Sequence, residues 1–389
     1  MYQQEGLQDY VYMTLYVIVT ITAILSSLYL LRKRPDQTKG AKSPLPLRRW
    51  AAAFLIAAAM SHIWWPVIGN VVLNDDIFMR NALNIGLDTI TLVPLMMATL
   101  LRMLQDRKRP IWPAFVAVVP AAALCFGMGV VGRNADYEWL LSDYILFVAV
   151  GFVVYMTFAV HKYSKWLRDN YADLENKEVW QSMLLMLAIL LMFVCYKSNY
   201  GGFLSEYIVQ INTIILIGFL VWRVETLPIL NTEPETTESI DDYYARPLEN
   251  HKNSNEDNEM DDNNKSTDNE RVDNLAHIGL LLTTRCEIPK LYLQYDMSLN
   301  RLCISIGTNR TYLSTYFHQQ GITYNTYINR LRIEHFMRLY REPSTTMPLT
   351  IQEMAQQSGF LSYRTFASAF KKITGMTASE WMEKEEQRR

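Results

Sequence analysis

Leu302-Cys303-Ile304-Ser305-Ile306-Gly307 and, some fifty residues later, Met354-Ala355-Gln356-Gln357-Ser358-Gly359-Phe360 are two copies of one pattern. In each copy a small side chain, Cys303 or Ala355, stands four positions before a glycine. A second run follows each: Asn309-Arg310-Thr311-Tyr312-Leu313-Ser314-Thr315-Tyr316-Phe317 after the first, Ser362-Tyr363-Arg364-Thr365-Phe366-Ala367-Ser368-Ala369-Phe370 after the second. Two helices that cross at a tight turn need this pattern. The small residue lets the second helix approach the first, and the glycine accepts the positive φ of the turn. Asn309 and Ser362 then fall where the N-caps of the second helices belong.

Helical spacing divides each second helix into two faces. In the first, Tyr312, Leu313, Tyr316 and Phe317 form the apolar stripe, leaving Arg310, Thr311, Ser314, Thr315 and His318 to face outward. In the second, Phe366, Ala369, Phe370 and Ile373 turn inward, and Tyr363, Arg364, Thr365, Ser368, Lys371 and Lys372 are left exposed. On a single helix such residues would be an ordinary solvated face. On the second helices of two tandem helix-turn-helix units they are the types that read base edges and hold phosphates. With the caps Asn309 and Ser362 they make up the expected DNA-binding set.

The run Gly321-Ile322-Thr323-Tyr324-Asn325-Thr326-Tyr327-Ile328-Asn329-Arg330-Leu331-Arg332-Ile333 resembles the long linking helix of the AraC/XylS family of transcription regulators. Gly359-Phe360 through Phe366, Phe370-Lys371-Lys372 and Gly375 resemble its C-terminal signature. The resemblance covers about residues 276–385. It departs from the family at Ala378, where a proline is usual, and at Met382, where an arginine often ends the motif. It implies two helix-turn-helix subdomains joined by a helix, here about Tyr324–Arg341, whose recognition helices enter successive major grooves on one face of the duplex. Grooves about 34 Å apart, or bent DNA, are then required. From residue 276 onward fourteen Lys and Arg oppose nine Asp and Glu, a net of +5, suited to phosphate contacts. Many members of the family sense a small molecule through a soluble sugar-binding barrel, and in this chain a membrane domain stands in that place.

Upstream, from Thr232 to about Asn274, the chain is rich in Asn, Asp, Glu, Ser and Thr, with Arg246, Lys252, Lys265 and Arg271 as its cations. Such a composition buries too little apolar surface to offset its ordering entropy, so a disordered spacer is expected, with a reach of roughly 35–40 Å.

Residues 1–225 have a different chemistry. Seven stretches have the length and apolarity of membrane spans: about Tyr10–Leu31, Ala51–Leu73, Asn81–Leu104, Ile111–Val131, Trp139–Val160, Trp180–Tyr196 and Tyr207–Trp222. The first run has no basic region before it and is long enough to span, so it reads as a retained helix rather than a cleaved signal. The regions after spans one, three and five carry Arg32, Lys33, Arg34, Lys39, Lys42, Arg48 and Arg49, then Arg102, Arg107, Lys108 and Arg109, then Lys162, Lys165, Arg168 and Lys177. The alternate loops hold Arg80, Arg133 and Lys197. The positive-inside rule then puts the N-terminus outside and the C-terminal domain in the cytoplasm, on a multi-pass protein of the cytoplasmic (inner) membrane.

Within the spans, His62 and Asn70 lie beside Trp64-Trp65-Pro66, and Asn84 and Asp88 share a helix face. His62 and Asp88 fall at similar depths, so a pairing is expected. Helix-packing hydrogen bonds account for such residues. The sharper reading makes His62, Asn84 and Asp88 a sensor site open to the outside.

The prediction is an all-α chain: a seven-helix transmembrane bundle over 1–225, a disordered acidic linker over 226–275, and a two-subdomain helix-turn-helix DNA-binding domain over 276–389. Double-stranded DNA and the lipid bilayer are the expected partners, with a small-molecule ligand and a second copy of the chain as further candidates. No catalytic motif, cofactor or metal site is expected. Cys125, Cys195, Cys286 and Cys303 lack metal-ligand spacing and read as small hydrophobes. Two alternatives stay open at this point: release of the DNA-binding domain by proteolysis in the linker, and a transporter-like membrane protein with an autoregulatory DNA-binding domain.

Overall fold

A computed structural model describes residues 2–32, 43–68, 77–131, 135–184, 188, 203–230, 276–295, 297–342 and 349–388. Among the described residues there are helices and turns but no strand, as the all-α expectation required. Two compact units emerge. The first comprises Met1–Tyr163 and Asn176–Thr232, and the second joins Ser164–Glu175 to Glu233–Arg389.

The first unit contains α1 (Tyr2–Arg32), α2 (Leu45–Val67), α3 (Ile77–Met103), α4 (Trp112–Val116), α5 (Val119–Val131), most of α6 (Ala135–Asn170) and α7 (Phe203–Thr226). Five of these are long and apolar enough to cross a membrane: Tyr10–Arg32, Leu45–Val67, Leu83–Met103, Leu140–Asn170 and Tyr207–Thr226. They correspond to the first, second, third, fifth and seventh spans expected from the sequence. The fourth is broken into α4 and α5 by a turn ahead of Pro120, whose ring cannot continue the helical hydrogen bonding. Most of the sixth lies outside the described residues, as does the acidic spacer from Thr232 to Asn274. Phe147, Phe158, Leu25, Ile211 and Ile215 are all more than half exposed on these helices. In water such apolar surface would cost about 25 cal/mol per Å², whereas lipid accepts it.

At one end of this unit the polar groups close on one another. Arg48, at the start of α2, donates through Nε to the Leu30 carbonyl (3.1 Å) and pairs with Glu225 of α7 at 2.7 Å. Gln105, just past α3, donates to the Pro228 carbonyl (2.9 Å) and accepts from the Leu230 amide (3.0 Å). The C-terminal ends of α1, α3 and α7 therefore converge with the start of α2. The ordered chain also continues past α7, with Leu227 and Leu230 buried, into residues that composition alone assigns to the spacer.

The second unit holds two helical cores that share one long helix. After a helix over 276–282, a π-turn (Thr283–Glu287) and a 3₁₀ turn (Leu291–Leu293) come α8 (Leu299–Ile306), α9 (Arg310–Gln319), α10 (Tyr324–Arg341), α11 (Ile351–Gln357), α12 (Tyr363–Thr374) and α13 (Ala378–Glu386). The first core packs Leu302, Ile306, Leu313 and Phe317 against Tyr324 and Ile328 of α10. The second packs Ala355, Phe360, Phe366 and Phe370 against Ile333 and Phe336, further along α10. Phe366 is its hub, with ring centroids 4.6 Å from Phe336, 5.4 Å from Phe360 and 5.5 Å from Phe370. A fully buried phenylalanine contributes roughly 1.5–3 kcal/mol by area alone.

Candidate nucleic-acid interface and membrane cluster

Each helix-turn-helix unit is held by the local chemistry its sequence anticipates. Cys303 and Ala355 are buried at the helix crossings, and Gly307 and Gly359 turn the chain with φ of 77° and 86°. At Gly359 a side chain would also collide: a Cβ there would stand 2.8 Å from the Leu293 carbonyl oxygen. The second helices begin on the expected caps. Asn309 Oδ1 accepts from the Tyr312 amide (2.9 Å), and Ser362 Oγ accepts from the Thr365 amide (3.3 Å). Cys286 and Cys303 are buried thiols whose pKa burial pushes up to about 12, consistent with a filling rather than a reactive role.

On α9, Arg310, Thr311, Ser314, Thr315 and His318 are exposed, while Leu313 and Phe317 are buried. Tyr312 corrects the sequence reading. It is 53% exposed, so it belongs to the outer face with Thr311 and Thr315 rather than to the apolar stripe. Leu313, Tyr316 and Phe317 fill the available arc without it. On α12, Phe366 and Phe370 are buried, and Tyr363, Arg364, Ser368, Lys371 and Lys372 are exposed. Ser362 and Thr365 are half-covered, because both hydroxyls donate to the Glu175 carboxylate, Thr365 at 3.1 Å.

The linking helix α10 carries polar groups whose roles sequence reasoning missed. Arg332 is almost wholly buried. Its Nε donates to the Tyr292 carbonyl and its Nη2 to that of Gln294, both at 2.8 Å. Asn325 donates to the carbonyls of Tyr171 (3.2 Å) and Ala172 (2.6 Å), and Asn329 to that of Ala172 (3.3 Å). The signal available in sequence was three polar residues on the inward, apolar stripe of a helix, where a partner is obligatory.

A family described as a helix-turn-helix domain matches residues 302–384, which run from α8 into α13. The C-terminal domain belongs to the AraC type. An uncharacterized HTH-type transcriptional regulator of Staphylococcus aureus (strain COL) is 31% identical over 97 residues, 25% of this chain and 12% of that protein. The HTH-type transcriptional activator RhaR of Salmonella dublin is 32% identical over 90 residues, 23% of this chain and 30% of its own length. The chain thus spans a minor part of the length of these relatives. No solved structure matches the chain.

Both departures from the AraC-type signature lie on α13, and the helix forms around them. Thr377 and Glu380 make a reciprocal capping box, Ala378 and Trp381 pack into the second core, and Arg341 pairs with Glu385 at 2.8 Å while lying over the Trp381 ring. Met382 joins the same core as a partly buried apolar contact, a role that does not need the family's arginine.

In the first unit, the expected pairing of His62 with Asp88 gives way to other partners. His62 Nε2 lies 3.0 Å from Gln210 Oε1 of α7, which accepts when that nitrogen carries the proton, its Nδ1 faces the Ala58 carbonyl (2.9 Å), and its ring lies 4.6 Å from that of Tyr16. Asp88 accepts from both indoles, Trp64 at 3.1 Å and Trp65 at 2.9 Å. Depth along a helix fixes height, and side-chain direction then chooses the partner, which is why equal depths did not make a pair. Asn84, one turn before Asp88, is fully buried, and among the described residues neither of its amide atoms has a hydrogen-bond partner.

Proposed function

We propose that this chain is a membrane-bound, sequence-specific DNA-binding transcription regulator whose membrane domain senses a signal. The observation that carries the reading is the duplicated, N-capped helix, α9 and α12, each with its polar face exposed and each set against the shared helix α10. Arg310, Thr311, Ser314, Thr315 and His318 would read or hold one groove. Tyr363, Arg364, Ser368, Lys371 and Lys372 would serve the next, with Asn309, Ser362 and Thr365 at the helix starts. Basic side chains that hold phosphates supply affinity, and Arg at a base edge supplies discrimination.

Five membrane-length helices and the asymmetry of the basic residues support a multi-pass protein of the cytoplasmic membrane, N-terminus outside, with the DNA-binding domain inside. The cluster of Tyr16, His62, Asp88, Gln210 and the buried, unsatisfied Asn84 is the place where a small-molecule signal would engage, since polar groups at such depth are costly unless used. In the test, the full chain in lipid nanodiscs is exposed to random-sequence DNA. Enrichment of a bipartite motif whose halves lie about one helical turn apart is expected, and binding without any sequence preference would refute the reading.

A further inference from the structure

Within the second unit, one short stretch of chain touches both recognition helices. Its middle is anchored. Ala172 is completely buried in the first helical core, its amide donates to the Met297 carbonyl (3.3 Å), and Tyr171 forms an antiparallel bridge with Ser298. The carbonyls of Tyr171 and Ala172 are the acceptors for Asn325 and Asn329 of α10. Its flanks reach outward. Arg310 Nη2, on the first residue of α9, donates to Asn170 Oδ1 at 2.6 Å. At the start of α12, Ser362 and Thr365 both donate to Glu175. Asp169 lies close enough to His318 of α9 for their charges to interact.

These contacts fall on the groups a duplex would need. The N-terminal residues of a recognition helix are the ones that meet base edges, and the N-terminus itself, with its free amides and positive dipole end, attracts a phosphate. Glu175 puts a carboxylate there, the anion a phosphate would replace, and Asn170 offers Arg310 an amide oxygen in place of a base acceptor. Resting on the DNA-binding reading above, we propose that residues 170–175 are an internal competitor of DNA that holds both recognition helices until it is displaced.

The competitor is covalently attached, so it acts at the high effective concentration of an intramolecular ligand.

The test compares the full-length chain in nanodiscs with its Asn170→Ala and Glu175→Gln variants. The probe is a duplex of about 30 base pairs, enough for two half-sites a turn apart, selected from random DNA on the Glu175→Gln chain. Each variant is expected to bind this duplex about tenfold more tightly than the native chain, the effect of losing one strong competing hydrogen bond. In the native chain, amide exchange across 170–175 is expected to be slow without DNA and to speed up at saturating duplex. Equal affinities for all three chains, or unchanged exchange on binding, would overturn the competitor while leaving DNA binding intact. Selection that enriches no sequence on either the native or the Glu175→Gln chain would overturn DNA binding itself, and the competitor with it.

Discussion

The guanidinium carbon of Arg332 lies 5.6 Å from the centre of the Phe360 ring, so a residue of the linking helix joins the turn of the second helix-turn-helix unit to the carbonyls of Tyr292 and Gln294 in the first. Arg332→Ala strips two buried carbonyls of their donors and removes the cation over the ring. The expected loss is roughly 2–4 kcal/mol in unfolding free energy of the second unit, seen by denaturant titration. Arg332→Lys is expected to recover less than half, because an ammonium cannot reproduce the fork that reaches two carbonyls at once.

Gly359 tests the turn. Its φ of 86° and its approach to the Leu293 backbone leave no room for a methyl group. Gly359→Ala is expected to cost more than the roughly 1–3 kcal/mol of an ordinary left-handed alanine, with a matching fall in melting temperature. A loss within about 0.5 kcal/mol would mean that the two backbones are not in contact.

His335 gives the second unit a pH dependence. Burial, followed by the nearby charges of Arg338 and Lys290, lowers its pKa to about 4, and its Nδ1 lies 2.7 Å from Arg338 Nη2. The geometry fits a neutral ring that accepts this bond. Between the unfolded pKa of about 6.5 and the folded one the unfolded state binds more protons, so stability is complete above about 6.5 and falls as the pH drops toward 4. The loss should be on the order of 1–3 kcal/mol. Unfolding curves at several pH values should show this slope in the native chain and a shallower one in His335→Gln.

Much of the DNA-binding half was legible in the sequence, and for specific reasons. The Cys303–Gly307 and Ala355–Gly359 spacings, the Asn309 and Ser362 caps, and the boundaries of α10 are local rules whose partners lie within a few residues. What escaped was non-local. Nothing in the composition of Asn170–Glu175 says that it packs beside α10 in the second unit, more than 150 residues further along the chain. Tyr312 was misplaced because three neighbouring aromatic and aliphatic residues already fill the inward arc, a matter of packing volume rather than periodicity. The basic residues Lys162, Lys165 and Arg168 sit on the continuing turns of α6 rather than in a loop. No glycine or proline ends that helix at the membrane boundary.

Base reading and phosphate holding should separate by mutation. Arg364→Ala is expected to erase discrimination at one base pair, worth about 1–3 kcal/mol, in competition binding against single-base variants of the selected duplex. Lys371→Ala should instead weaken all duplexes alike and lower the slope of log affinity against log salt by about 1.

The membrane cluster predicts a spectroscopic change. Asp88→Ala leaves the indoles of Trp64 and Trp65 without their shared acceptor, so tryptophan emission should shift and the first unit should lose roughly 0.6–2 kcal/mol of stability in lipid. If the cluster senses a signal, Asp88→Asn should abolish the transcriptional response at unchanged protein level. A full response from a less abundant Asp88→Asn chain would reduce the cluster to a packing role.

The most direct measurement is genome-wide mapping of the DNA sites crosslinked to the chain in growing cells, with the tag at the N-terminus and the membrane fraction isolated before the DNA is recovered. The expected result is a small set of promoters sharing a two-part motif with halves about 10 base pairs apart, recovered with the full-length chain. Absence of enriched sites, or their recovery only with a shorter fragment outside the membrane fraction, would contradict regulation by the intact membrane-bound chain.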